Sequence, residues 1–164
     1  MPHFAAAGET LPCSSCQVHA GVKGLNQSIA LAAVGAKVRH VGKVGEDGRW
    51  LLDLMSIKNI DVGMLKVDPG PTEHANIQVR HEGENSIVLF RGAKRTITKS
   101  HTDEVLEATR PGEFLLLSNA ISSLDYLVGK AREKEIRVLF NAVPMSEDVN
   151  ALPLEAIELL VINN

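Results

Sequence analysis

The sequence predicts an α/β fold built on parallel strands. Three observations carry that expectation. In the second half, strand-like runs at Phe114–Ser118, Arg137–Asn141 and 159–162 alternate with helix-like segments at 122–135 and 154–158. That order favours parallel pairing through right-handed crossovers. The run FLLLS has no polar residue until its end, as expected of a strand covered on both faces. In the first half, a glycine-rich loop leads into a helix-period segment and then a strand-like one.

Each element has its own signal. Residues 25–34 place Leu25, Ile29, Ala32 and Ala33 at helical spacing, and Gly35 supplies a stop. Residues 37–44 read as a strand, with Val38 and Val41 among its apolar positions. Residues 47–58 read as a second helix whose buried stripe would be Trp50, Leu51, Leu54 and Met55. Asp47, in the run Gly45-Glu46-Asp47-Gly48, is expected to cap it. Asn59-Ile60-Asp61-Val62 leads into a short strand. Residues 74–79 and 86–90 form a hairpin across a polar turn and could stand apart as a flap. Residues 100–108 form a short helix, with Ser100 and Asp103 at capping-box spacing. Ser122 and Asp125 would open the next helix. The chain ends on VINN directly after an apolar strand, which reads as an interruption. Ligand contacts in such sheets come from loops after strand C-termini.

Composition narrows the function classes. The 164 residues suffice for one domain with a real core, and 45% are hydrophobic against 23% charged. A net charge of −3 argues against a nucleic-acid or acidic-membrane partner, both of which need a basic face. No apolar run is long enough to span a bilayer, and the N-terminus lacks a signal-peptide pattern. The expected location is cytoplasmic.

Cys13, Cys16 and His19 follow a C-x-x-C-x-x-H spacing. A structural zinc site needs a fourth ligand, and none is spaced for it, so ordinary reduced thiols are the expectation. His40, inside a strand, is expected to be structural. The other histidines are expected in solvent.

The segment Gly21-Val22-Lys23-Gly24-Leu25-Asn26 carries the candidate chemistry. A glycine loop entering a helix presents free N–H groups and the positive end of a dipole, which suits an oxygen-rich ligand. Asn26 offers a donor and an acceptor, able to match paired sugar hydroxyls. Lys23 adds a charge. The loop matches neither the Walker pattern nor the dinucleotide fingerprint. It would equally serve as a tight turn closing a strand–helix corner.

With these residues in place, the chain resembles the ribokinase-like sugar kinases of the PfkB carbohydrate kinase family. Gly8-Glu9-Thr10 is similar to the family's PGET run, and Gly21-Val22-Lys23-Gly24-Leu25-Asn26-Gln27 to its GGKGxNQ loop. Ala33-Val34-Gly35-Ala36 and the segment from Val41 to Asp47 resemble the rest of its first signature. Gly83-Glu84-Asn85-Ser86, Gly92-Ala93, Leu115-Leu116-Leu117 and Phe140-Asn141-Ala142-Val143-Pro144 keep the family's order. The resemblance implies a Rossmann-like sheet with a small β lid, here an incomplete single domain over 1–164, with lid segments at about 10–20 and 74–90. It implies a sugar or nucleoside substrate, ATP as donor, Mg2+, and often a homodimer through the lid. By the same resemblance, Gly21, Lys23 and Asn26 line the sugar site. Asn163 falls near the ATP phosphates and metal.

The departures are as specific. The family's second loop glycine is Val22, and its substrate-contacting glutamate after the LLL strand falls on Ala120. The family's first strand, with its sugar-binding aspartate, and the half carrying the G-A-G-D anion hole and catalytic base have no counterpart in these residues. The expectation is a chain that phosphorylates nothing alone, is prone to self-association, and carries no catalytic residue of its own. The alternative expectation is a non-catalytic sugar-binding or regulatory module acting by dimerisation.

Overall fold

The computed structural model describes residues 1–92, 97–119, 123–143, 149 and 152–162. The α/β expectation holds, in three separate sheets. A parallel pair, β1 (Gly42–Gly45) and β2 (Leu65–Asp68), is joined through helix α2 (Trp50–Ile57). An antiparallel hairpin pairs β3 (His74–Val79) with β4 (Asn85–Phe90). A parallel three-stranded sheet has the order β5 (Phe114–Ser118), β6 (Arg137–Asn141), β7 (Ile157–Val161). Helices α1 (Lys23–Ala33), α3 (Lys99–Ala108) and α4 (Leu124–Glu133) complete the order.

Two apolar clusters hold these parts. Leu25 of α1, Val44 of β1, Met55 of α2, Ile60 and Leu65 of β2 form one. Leu106 of α3, Leu117, Val138 and Phe140 of the three-stranded sheet, and Leu127, Val128 and Ala131 of α4 form the other. Phe140 and Val128 are fully buried. Tyr126 of α4 donates its hydroxyl to Asp103 of α3 at 2.7 Å, tying the two helices over that cluster.

Several boundaries shift for local reasons. The strand expected over 37–44 is paired along Gly42–Gly45, preceded by one isolated bridge from Arg39 to Asp61. The expected helix at 47–58 splits into a 3-10 turn at Glu46–Gly48 and α2. The short helix expected at 154–158 is a single 3-10 turn, Leu154–Ala156, running straight into β7. Gly35, at φ 84°, ends α1 in the left-handed conformation the sequence suggested. Helix α3 is capped by Thr98 and not by Ser100: the Thr98 hydroxyl accepts from the His101 N–H at 3.3 Å. Asp47 does not cap α2. Its N-cap is Arg49, with no side-chain capping bond. Helix α4 starts after Ser123, which has φ 61° and makes no side-chain cap. Ser122 lies outside the described residues.

Burial corrects three expectations. Trp50, placed in the core by its stripe, is 44% exposed, and Met55 takes the buried position in α2. FLLLS is covered on one face only: Leu117 is buried against the helices, whereas Phe114 is 54% exposed and Leu116 37%. Side chains alternate along a strand, so Leu116, Leu139 and Leu159, in register across the sheet, share the open face. The third correction is His101, which is 3% exposed and not in solvent.

Candidate functional site

The glycine loop sits where the sequence places it, at the start of α1, but in an unusual conformation. Val22 is the helix N-cap with φ 77° and ψ 146°. That region is essentially reserved for glycine, and a β-branched residue there costs on the order of 1–3 kcal/mol. The bond from the Asn26 N–H to the Val22 carbonyl, 3.0 Å, closes the first turn over it. Ser28, buried one turn further on, shares a 2.8 Å hydrogen bond with His40 Nδ1. That bond pins the approach to β1 against α1, and the structural role expected for His40 is the role it has.

The candidate residues are placed differently from one another. Gly21 and Val22 line an open cleft of about 2160 Å³, together with Gln27, Ser28, His40 and Lys43. Ligand pockets usually measure about 300–1,000 Å³, so this cleft is too open to enclose one small molecule. Lys23 is half-buried and donates its ammonium to the backbone carbonyl of Val143, just past the end of β6. The charge that the loop offers is thus aimed at the three-stranded sheet. Asn26 is exposed on α1. Asn163 and Ala120 lie outside the described residues, as do Ala93 and Pro144 of the resembling segments.

Asp47 has a structural occupation that its sequence context hid. Its Oδ1 accepts from both the hydroxyl and the backbone N–H of Thr72, at 2.6 and 2.9 Å. The Thr72 bonds, chiefly that of the hydroxyl, hold the Asp47 carboxyl below its ordinary pKa. No spacing rule links residues 47 and 72, so only the fold could reveal the pair.

His101 was missed for the same reason. On α3 it faces Glu104, whose Oε2 is 3.7 Å from Nδ1, and Lys66 forms an ion pair with the same carboxylate. Neither ring nitrogen has a hydrogen-bond partner among the described residues. Burial, with the Lys66 charge behind it, pushes the imidazole below its usual pKa.

Cys13 and Cys16 are exposed free thiols, and His19 Nε2 lies 3.0 Å from Gln17 Oε1. Among the described residues no three His, Cys, Asp or Glu side chains converge to hold a metal. No described helix is long and apolar enough to cross a membrane. Residues 10–20 carry no helix or strand.

Comparison with known proteins places this geometry. The family described as pfkB family carbohydrate kinase matches residues 2–154. The ribokinase of Bacillus subtilis is 31% identical over 146 residues, a match covering 84% of this chain and 48% of the relative. The crystal structure of the ribokinase of Cryptococcus neoformans in complex with ADP superposes with a TM-score of 0.80 at 28% identity, over 97% of this chain and 52% of that one. The Arabidopsis thaliana ribokinase complexed with ribose and ATP shares the fold at a TM-score of 0.75 and 22% identity, over 97% and 54%. This chain spans about half the length of the curated relatives it matches. Its sheets match the fold of these ribokinase neighbours and are incomplete and open among the described residues. From the strained loop at Val22 to the flap at β3–β4, the chain belongs to the pfkB family of carbohydrate kinases.

Proposed function

We propose that this chain forms the sugar-side wall of a ribokinase-like site and binds a sugar or nucleoside through Gly21, Lys23 and Asn26. The single observation behind this reading is the glycine loop at the N-terminus of α1, opening on the cleft beneath the β3–β4 hairpin. Gly21 brings its backbone to the cleft. Lys23 and Asn26 lie in the first turn of the same helix but do not line the cleft, and Lys23 is bonded to Val143, so their part in binding rests on the family resemblance of the loop.

Phosphoryl transfer by these 164 residues is not part of the proposal. Transfer requires a positioned base and charge stabilisation on the moving group. Asp47, a carboxylate lining the cleft, is occupied by Thr72. ATP and Mg2+ are what the family implies. The helix N-terminus in the cleft does not fit the ATP phosphates, because it is capped by a strained Val22 where a phosphate-binding loop needs glycine. Asn163 remains the proposed phosphate-side residue, in a part of the chain outside the description.

Calorimetric titration with ribose, together with a coupled assay for ADP release, tests the reading. Weak ribose binding and no ribose-dependent ADP are expected. Turnover above background by this chain would overturn the catalytic part, and absence of any sugar or nucleoside binding would overturn the rest.

A second reading has its own observation. Register places Ile77, Val79, Ile87 and Leu89 on one face of the hairpin, and all four are about half exposed. A two-stranded hairpin with an apolar face is marginal alone. A non-catalytic module that pairs through this flap, as a homodimer, would cover it.

A further inference from the structure

The β3–β4 flap is joined to the β1–β2 core through Pro71–Glu73 on one side and Gly92 on the other, and one small cluster holds both joints. Thr72 gives its hydroxyl and N–H to Asp47 Oδ1. The Thr72 Oγ1 in turn accepts from the Gly45 N–H at 2.9 Å. The Thr72 carbonyl accepts from His74 Nδ1 at 2.6 Å, and His74 Nε2 stands 3.4 Å from Asp47 Oδ2. Every polar group of Thr72 is therefore engaged, and each bond reaches the last residue of β1, the turn after it or the first residue of β3.

Packing around Thr72 is as exacting as its hydrogen bonding. A Cβ on Gly45 would lie 2.6 Å from the Thr72 nitrogen, and one on Gly48 would strike the Thr72 hydroxyl. A Cβ on Gly92 would lie 2.5 Å from the Pro71 carbonyl oxygen and 2.7 Å from the Glu73 nitrogen. Gly45 and Gly92 are required by close approach of backbone to backbone, and Gly48 by the Thr72 side chain. Gly45 at the end of β1, Gly48 just after it and Gly92 after β4 all close on Thr72 or its immediate neighbours.

Outside this cluster, the contacts described for the flap are exposed ones from the N-terminal segment: the Met1 ammonium on the Val79 carbonyl at 3.2 Å, and Arg80, just past β3, over the Phe4 ring. The flap's exposed faces contribute nothing to either buried cluster. We propose that Asp47 and Thr72 form a latch at the flap hinge, which fixes the flap over the cleft and must open for the flap to move. Glycines at 45, 48 and 92 let the latch close, and the Asp47 carboxylate holds it shut. This goes beyond sugar binding and stands or falls without it.

Hydrogen exchange of the intact 164-residue chain, read by mass spectrometry without ligand, tests the latch. Thr72→Val and Asp47→Ala are each expected to speed exchange of the β3 and β4 amides by about tenfold or more, with β5 and β6 unchanged. Thr72→Ser keeps the hydroxyl and is expected to exchange as the parent does. Unchanged flap exchange in both variants would overturn the proposal. So would flap and core exchange rising together, which is also the outcome if a variant unfolds, and so would failure of Thr72→Ser to preserve the parent pattern. Ribose titration is independent of these readings, so a chain that binds no sugar can still show the latch, and a sugar-binding chain can lack it.

Discussion

Lys23, in the first turn of α1, donates its ammonium to the carbonyl of Val143 beyond β6, and so joins the glycine loop to the three-stranded sheet. The contact is 120 residues long in sequence and partly buried. A charged hydrogen bond of this kind contributes about 1.5–3 kcal/mol. Lys23→Met, which keeps the aliphatic stem, is expected to lower the unfolding free energy by that amount in urea melts. An unchanged midpoint would show that the bond contributes nothing in solution.

Val22 should respond in the opposite direction. Its φ of 77° is a conformation that glycine adopts freely. Val22→Gly removes strain on the order of 1–3 kcal/mol, partly offset by about 0.4–1 kcal/mol of added unfolded-state entropy. A net gain of about 1 kcal/mol is expected, seen as a higher thermal midpoint. It also clears a side chain from the cleft, so ribose should bind the variant more tightly than the parent. A lower midpoint would mean that the Val22 side chain contributes more than its backbone costs.

His101 makes stability depend on pH. Its folded-state pKa lies below the ordinary value of 6.5, so the unfolded chain takes up a proton more readily. Stability is then full above about pH 6.5 and falls as pH drops below that value. Urea midpoints at pH 7.5 and 5.5 should differ in that sense. In His101→Leu the part of the difference due to this ring should vanish. Greater stability of the parent at pH 5.5 would reverse the sign and sink the assignment.

Open sheet faces predict self-association. Leu116 and Leu159, with the half-buried Leu139 between them, form an apolar row on the open face of β5–β7, and β7 presents a free edge among the described residues. Sedimentation velocity should show species larger than the 17.7 kDa monomer. Leu159→Lys, at a half-exposed position, should reduce them if the sheet face is responsible. Ile87→Lys should do so if the flap is. A monomeric parent at micromolar concentration would contradict both.

Legibility in the sequence followed the range of the interaction. Helical spacing at Leu25 and Ile29, the stop at Gly35 and the alternation through β5–α4–β6 were readable because each depends on neighbours a few residues away. The family was readable for a related reason: its loop and strand segments are contiguous. Trp50 was misplaced because its stripe says which residues share a face and not which face is covered. FLLLS was misread because apolar content says that a strand can be buried, while coverage depends on what packs against it.

The sequence by itself determined the α/β class, the helix-opening glycine loop and the membership in a sugar-kinase family. Only the tertiary structure decided that Lys23 reaches Val143, that Asp47 holds Thr72, that His101 is buried beside Glu104, and that Val22 sits in a glycine conformation. The first group rests on local periodicity and backbone preference, which a short window contains. The second rests on contacts between distant segments, whose partners exist only once the chain has closed on itself.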